Sequence, residues 1–281
     1  MVKNLITDEQ NTWCMGCGNF SVEHSLKEVF ADMRENGENP DEVVLVAGIG
    51  CHGKIADYLN VNSVYSLHGR AIPFATGIKL ADKNLKVICC VGDGDAYAEG
   101  LEHLIFAAKR NIDITVLVHD NRVYGLTTGQ YTPTSPYHFK GRSTPGGSPE
   151  RPFNPLNLML VSGATSVARG YTGRKEHLTG LLRSGIAHKG FSFIEILQVC
   201  ASYFNMTDSY EEKVKVHNNE DLTSYSGAEE IIGLWNYDDG AKEIPLGDFY
   251  RVKRSTYGDE FDGPHDLKSG KESVMAYLES I

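Results

Sequence analysis

The first two hundred residues alternate between short apolar runs rich in β-branched side chains and longer stretches with helical spacing. Five runs read as strands: EVVLVAGIG (42–50), NSVYSLH (62–68), LKVICCVGD (85–93), IDITVLVHD (112–120) and FSFIEILQV (191–199). Between them the pattern predicts helices over 21–35, 71–82, 97–110, 156–168 and 176–189. Strands alternating with helices in this way predict an α/β fold, a mainly parallel sheet with helices on both faces. Two stretches depart from it. Residues 126–155 hold Pro133, Pro136, Pro145, Pro149 and Pro152 among many Ser, Thr and Gly, and read as a long ordered loop, neither helix nor strand. Residues 201–281 are more polar, with one late helix candidate at 270–280. The expected division is a domain over 1–205 and an irregular C-terminal extension over 206–281 that packs on a neighbouring subunit.

Composition narrows the class. The chain has 281 residues, enough for one large α/β domain or two modest ones. No run approaches the ~18 apolar residues of a membrane span. The opening MVKNLITDEQ lacks the apolar core of a secretory signal, so the expected location is cytoplasmic, with no membrane contact. A net charge of -10 argues against general nucleic-acid binding, which needs a basic surface. Six cysteines without a secretory signal point to metal or redox chemistry, or to small core residues, rather than a disulfide framework.

The chemistry-bearing residues fall just after strands. Cys51 follows VVLVAGIG, Asp93 ends LKVICCVG, Asn121 follows IDITVLVHD, and Cys200 follows FSFIEILQV. In an open parallel sheet, ligands gather at the carboxyl ends of the strands. Asp93 lies between Gly92 and Gly94, where glycines let the backbone turn sharply and approach a ligand. A helix beginning near 97 can aim its free N–H groups at a phosphate. Asp93 and Asn121 are hard oxygen ligands of the kind Mg2+ takes together with phosphate oxygens. One helix and one strand separate them, which returns the chain to the neighbouring strand end. Cys14 and Cys17 form a C-x-x-C pair, and with Cys51 and Cys200 they make a set of four at one edge. Four thiolates suit Zn2+ or an iron–sulfur cluster; a pair plus two distant singles fits a cluster better. Cys89 and Cys90 lie inside an apolar strand and read as core.

The stretch from Gly92 to Asn121 resembles the diphosphate-binding motif of thiamine diphosphate enzymes, with Asp120 where a first asparagine often stands. The segments WCMGCGNF, GIGCHGK, LHGRAIPFATGIKLA, GDGDAYAEG, RNIDITVLVHDNRVYGLTTGQYTPTSP and FSFIEILQVC follow in order. Together they resemble the β subunit of 2-oxoacid:ferredoxin oxidoreductases, especially the branch acting on 2-oxoglutarate and related acids, over residues 10 to about 205. The resemblance implies a thiamine diphosphate-binding fold. It implies that Cys14, Cys17, Cys51 and Cys200 bind one 4Fe-4S cluster, and that Asp93, Asn121 and the carbonyl of Val123 hold Mg2+. Gly92, Gly94, Asp95, Gly125, Leu126 and Thr127 would line the cofactor. Lys54, His68 and Arg70 are pocket candidates. Two places depart from the common family pattern: His52 stands for a serine and Thr128 for a lysine.

By the same resemblance, the chain takes part in oxidative decarboxylation of a 2-oxoacid. Thiamine diphosphate provides the nucleophile and electron sink, the cluster passes electrons to ferredoxin, and coenzyme A accepts the acyl group. The expected substrate is 2-oxoglutarate, with pyruvate or a broad 2-oxoacid range as the alternative. This chain has no convincing carboxylate for activating the aminopyrimidine, so a larger α (or fused γα) subunit is expected to supply that Glu in an αβ or (αβ)2 assembly. Two rival readings are a non-redox thiamine diphosphate decarboxylase and a metal-binding regulatory protein.

Overall fold

The computed structural model describes residues 4–217, 219–237, 240–260 and 267–280. The apolar runs form β1 (Val43–Ala47), β2 (Asn62–Tyr65), β3 (Lys86–Gly92) and β4 (Thr115–Asp120). They are followed by β5 (Val123–Tyr124), β6 (Gln130–Tyr131), β7 (Ser166–Tyr171), β8 (Ser192–Leu197), β9 (Val214–Val216) and β10 (Ile244–Arg251). Eight of these make one sheet in the order β2-β1-β3-β4-β8-β7-β10-β9, and β5 with β6 makes a small hairpin. Pairing is parallel from β2 through β7 and again between β10 and β9; β7 and β10 are antiparallel.

The helices are α1 (Asn19–Glu35), α2 (Ile55–Tyr58), α3 (Ala71–Ala81), α4 (Leu101–Lys109), α5 (Pro155–Val161), α6 (Lys175–Ala187), α7 (Thr207–Lys213), α8 (Tyr225–Ile232) and α9 (Leu267–Glu279). Successive strand residues point to opposite faces. In β3, Val87, Cys89 and Val91 therefore join the core under α3, α4, α5 and α8, while Ile88 and Cys90 join the one under α1 and α6. On α1 the apolar positions Val22, Leu26, Val29, Phe30 and Met33 form a single stripe against that second face. Burial of Leu26 or Phe30 contributes about 1.5–3 kcal/mol each.

The structure differs from the sequence reading in four places. The helix expected over 156–168 is α5, capped by Asn154 and ended by Gly163 at φ 90°; the chain then runs straight into β7. The helix expected from 97 begins at Gly94 with a wide π turn through Glu99, breaks at Gly100 and resumes as α4. The loop 126–155 contains β6. The C-terminal stretch expected as irregular supplies β9, β10, α7 and α8, and places Ala228, Ile232 and Phe249 in the same core as β3 and β4. The late helix is present as α9.

What matters for function is the point where the sheet reverses its order. From β1 the chain moves outward to β2, and from β3 it moves the other way to β4. A crevice opens at the carboxyl ends of β1 and β3, the usual ligand position in such sheets. Cys51 and Asp93 leave the sheet there.

Candidate functional site

Asp93 is 2% exposed and sits at the first turn after β3, with no side chain capping the helical turn that begins at Gly94. Uncapped N–H groups at such a turn suit an anion. Because Gly92 pairs with His119 across the sheet, Asp93 and Asp120 leave adjacent strands side by side. The Thr134 hydroxyl lies 3.1 Å from Asp93 Oδ2 and 2.8 Å from Asp120 Oδ1. Its single proton serves one carboxylate at a time. Burial pushes the Asp93 carboxyl up to about 6, against the downward pull of the Thr132 and Thr134 hydroxyls and backbone N–H groups. Asp120 is pushed well above the usual carboxylate range by burial and then by Asp93, so the pair resists carrying two negative charges. A cation at Asp93 would relieve this crowding. Asn121 Oδ1 accepts from Val123 N at 3.0 Å, turning the chain so that Asn121 and the buried Val123 lie beside Asp93's strand end.

Beneath Gly92 lies His52, on the 3-10 turn Cys51–Lys54 and 7% exposed. A Cβ built at Gly92 would meet His52 Cε1 and Nδ1 at 2.7 Å, and one at Gly50 would meet the same ring at 2.6 and 2.9 Å. The glycines of two neighbouring strand ends thus leave room for one imidazole. Its Nε2 faces Asp95 Oδ2 at 3.6 Å, and neither atom has a hydrogen-bond partner. Asp95 Oδ1 accepts from Gly69 N at 2.7 Å and pairs with His68 Nδ1 at 3.0 Å. Asp95 therefore ties together the loops after β1, β2 and β3. His119, whose ring lies 5.9 Å from that of His52, is held well below the usual histidine range by burial and is neutral.

The four thiols Cys14, Cys17, Cys51 and Cys200 line one cavity of about 170 Å³ together with Asn121, Gly125, Leu126 and Gln198. Gly18 is what admits Cys17: its N–H donates to Val199 O at 3.1 Å, and a Cβ there would meet Val199 N at 2.9 Å. A Cβ at Gly125 would lie 3.6 Å from Cys200 Sγ and 3.7 Å from Cys51 Sγ. Cys51 is fixed from behind by Trp13 Nε1, which donates to its carbonyl at 2.7 Å. Burial, with the three other sulfurs nearby, raises the Cys17 thiol to about 11; burial also raises Cys51, against Lys54. These thiols are protonated until a cationic centre displaces the protons. Among the described residues no three His, Cys, Asp or Glu side chains are grouped tightly enough for a single metal ion. Four sulfurs around one shared cavity are a donor set that fits an iron–sulfur cluster.

The remaining candidates spread out. Lys54 lines the thiol cavity, with Nζ 2.9 Å from Thr12 Oγ1. His68 is turned to Asp95, while the Arg70 guanidinium is turned to the backbone oxygens of Gly69 and Glu99. Gly94 packs against Tyr124, whose hydroxyl donates to Gly94 O at 3.3 Å. Leu126 is at the thiol cavity, and exposed Thr127 donates to Gln130 Oε1 at 2.7 Å. Cys89 and Cys90 are fully buried. Thr134, Gln198 and the contact of Asp95 with His52 escape sequence reasoning because their partners lie 14 to 181 residues away. The run of threonines and serine in TPTSP was the available signal for Thr134.

Residues 48–196 match the family model described as thiamine pyrophosphate enzyme, C-terminal TPP binding domain. The chain is 38% identical over 258 residues to 2-oxoacid:ferredoxin oxidoreductase 1, subunit beta, of Aeropyrum pernix, covering 89% of this chain and 80% of that one. It is 35% identical to the 2-oxoglutarate synthase subunit KorB of Methanothermobacter marburgensis, over 94% of this chain and 90% of that one. Among solved structures, a 2-oxoglutarate:ferredoxin oxidoreductase from Magnetococcus marinus with 2-oxoglutarate, coenzyme A and succinyl-CoA bound superposes with a TM-score of 0.85. That match is at 30% identity, over 96% of this chain and 89% of that chain.

Proposed function

Because the chain belongs to the β subunits of the 2-oxoacid:ferredoxin oxidoreductases, we propose that it holds thiamine diphosphate, Mg2+ and a 4Fe-4S cluster and oxidatively decarboxylates 2-oxoglutarate. One carbon–carbon bond of the acid breaks, releasing CO2, and one carbon–sulfur bond to coenzyme A forms. Two electrons leave through ferredoxin, and the thiol proton goes to solvent. Thiamine diphosphate supplies the nucleophile and electron sink, and the cluster accepts single electrons.

The observation that carries the reading is that the four thiols and Asn121 line the same cavity. Asp93, Asn121 and the carbonyl of Val123 serve as Mg2+ ligands, and the turn at Gly92, Gly94 and Asp95 receives the diphosphate. Gly125, Leu126 and Thr127 follow on the cofactor's cluster side. Cys14, Cys17, Cys51 and Cys200 hold the cluster. Lys54 brings positive charge to the shared cavity. The activating Glu comes from a larger partner subunit, and the whole works in the cytoplasm as an αβ or (αβ)2 assembly. Of the stretch over 206–281, part of which completes the sheet, the terminal helix α9 serves as subunit contact: Val274, Met275, Tyr277 and Leu278 are 47–65% exposed, an apolar patch in need of cover.

The departure at Thr128 would favour pyruvate or a broad range. Arg142 supports the dicarboxylate instead: its Nη1 donates to Thr128 Oγ1 at 3.3 Å, returning a cation to that loop. The experiment is to co-express both subunits, purify without oxygen, and follow the visible spectrum with Mg2+, thiamine diphosphate and coenzyme A. Bleaching by 2-oxoglutarate in preference to pyruvate, with the preference lost in Arg142→Ala, supports the assignment. A colourless protein containing zinc would overturn it, and equal bleaching by every acid would leave the chemistry and remove the substrate.

A further inference from the structure

Gln198 is the first residue after β8 and is 1% exposed. Its Nε2 donates one hydrogen to Val199 O at 2.6 Å and approaches Cys17 Sγ at 3.5 Å with the other. Its Oε1 accepts from Asn121 Nδ2 at 2.9 Å, and Asn121 Oδ1 accepts from Val123 N at 3.0 Å. A side-chain amide has an accepting end and a donating end, so fixing one amide fixes the next. Reversing Gln198 would set its oxygen against Val199 O and its amino group against that of Asn121. The order Val123, Asn121, Gln198, Cys17 therefore has one self-consistent direction.

We infer that Gln198 is a positioning residue that couples cofactor binding at Asn121 to the reduction potential of the cluster held by Cys17. The inference rests on the functional reading above. A cation on Asn121 Oδ1 polarises that already oriented amide, making Nδ2 a stronger donor to Gln198 Oε1 and Gln198 Nε2 in turn a stronger donor to Cys17 Sγ. An N–H donated to a cluster sulfur stabilises the extra negative charge of the reduced state and raises the potential. Filling the cofactor site thus makes the cluster a better electron acceptor. The hydrogen-bonded route from Asn121 to Cys17 passes through one amide.

The test uses the two-subunit complex, purified without oxygen, and redox titration followed by electron paramagnetic resonance. Wild type is compared with Gln198→Met, which keeps the volume and loses all three side-chain hydrogen bonds, each with and without Mg2+ and thiamine diphosphate. In wild type, the cofactor should raise the potential by about 59 mV, a tenfold change in the reduction equilibrium. In Gln198→Met that shift should vanish at unchanged iron and sulfide content. An identical wild-type potential with and without cofactor overturns the inference, as does a shift that survives in Gln198→Met. Should the Met variant not assemble, Gln198→Glu keeps the acceptor for Asn121 and removes the donor to Cys17, and its potential must fall below wild type. A potential left unchanged in Gln198→Glu also overturns it. A wild-type complex with no cluster removes the functional reading itself; a cluster present but indifferent to cofactor removes only this coupling.

Discussion

The cradle around His52 makes a prediction about a pair of substitutions rather than one. The three atoms nearest to a Cβ at Gly92 all belong to His52, two of them at 2.7 Å, well inside ordinary van der Waals contact. Gly92→Ala must therefore push the ring, and overpacking of this kind costs about 1–3 kcal/mol. His52→Ala leaves a void beneath the same turn and costs a similar amount, about 1–3 kcal/mol. In the double variant, the new methyl at 92 enters the space the ring has left. Gly92 carries no positive φ, so nothing else opposes the alanine. The expected coupling is about 1–3 kcal/mol of either single cost recovered, near 2–4 °C per kcal/mol in thermal unfolding of the purified subunit. Gly50→Ala is the control. Its Cβ also meets His52, but its φ of 151° is unfavourable for any side chain, so it should remain damaging with the ring removed. A Gly92→Ala penalty that is the same with and without His52 would refute the packing argument.

Other consequences can be measured alongside. The Asp93 carboxyl, raised to about 6 by burial, favours folding while protonated: that contribution, about 3 kcal/mol, is present below pH 3.8 and is lost as pH rises through about 6. The metal-free subunit should therefore lose thermal stability over that window. Binding of Mg2+ with thiamine diphosphate, which needs the carboxylate, should weaken about tenfold per pH unit below about 6; calorimetric affinities flat from pH 5 to 7 would count against Asp93 as ligand. Cys51→Ser should lower the iron content of anaerobically purified complex, whereas Cys90→Ala should leave it at the wild-type value. The Arg169–Glu195 pair is fully buried at 2.7 Å, with Tyr237 donating to Glu195 as well. Arg169→Met strands a carboxylate and should cost about 3–5 kcal/mol in denaturant titrations. By contrast, Glu28→Gln on α1, which breaks an exposed pair with Lys175 of α6, should change stability by less than about 1 kcal/mol.

How legible these features are in the sequence follows from what the side chains do. β1, β3, β4 and β8 are mostly apolar runs, because both faces of each strand are covered, and they can be read directly even with Glu195 inside β8. β7 cannot. Its SVARGY carries an arginine that sequence reasoning places outside, yet Arg169 is wholly buried because Glu195 waits on the neighbouring strand. β10 hides behind Pro245, Gly247 and Asp248, and a register shift between Asp248 and Tyr250 breaks its alternation. At the site, the C-x-x-C pair and the GDG turn have local signatures. Gln198 and the pairing of His52 with Asp95 have none, since these partners are brought near only by the closed sheet.

The set of four thiols also has a consequence for how the protein is made. Cys14 and Cys17 leave the ribosome about 185 residues before Cys200, which at translation speeds of about 5–20 residues per second is a delay of about 10–40 s. β10, which closes on β7, follows later still. For most of that interval the first three sulfurs are a chelating set without Cys200 or the finished cavity. On the proposed assignment of these thiols, cluster insertion would be a late step in biogenesis, completed only once Cys200 and the sheet around it are in place.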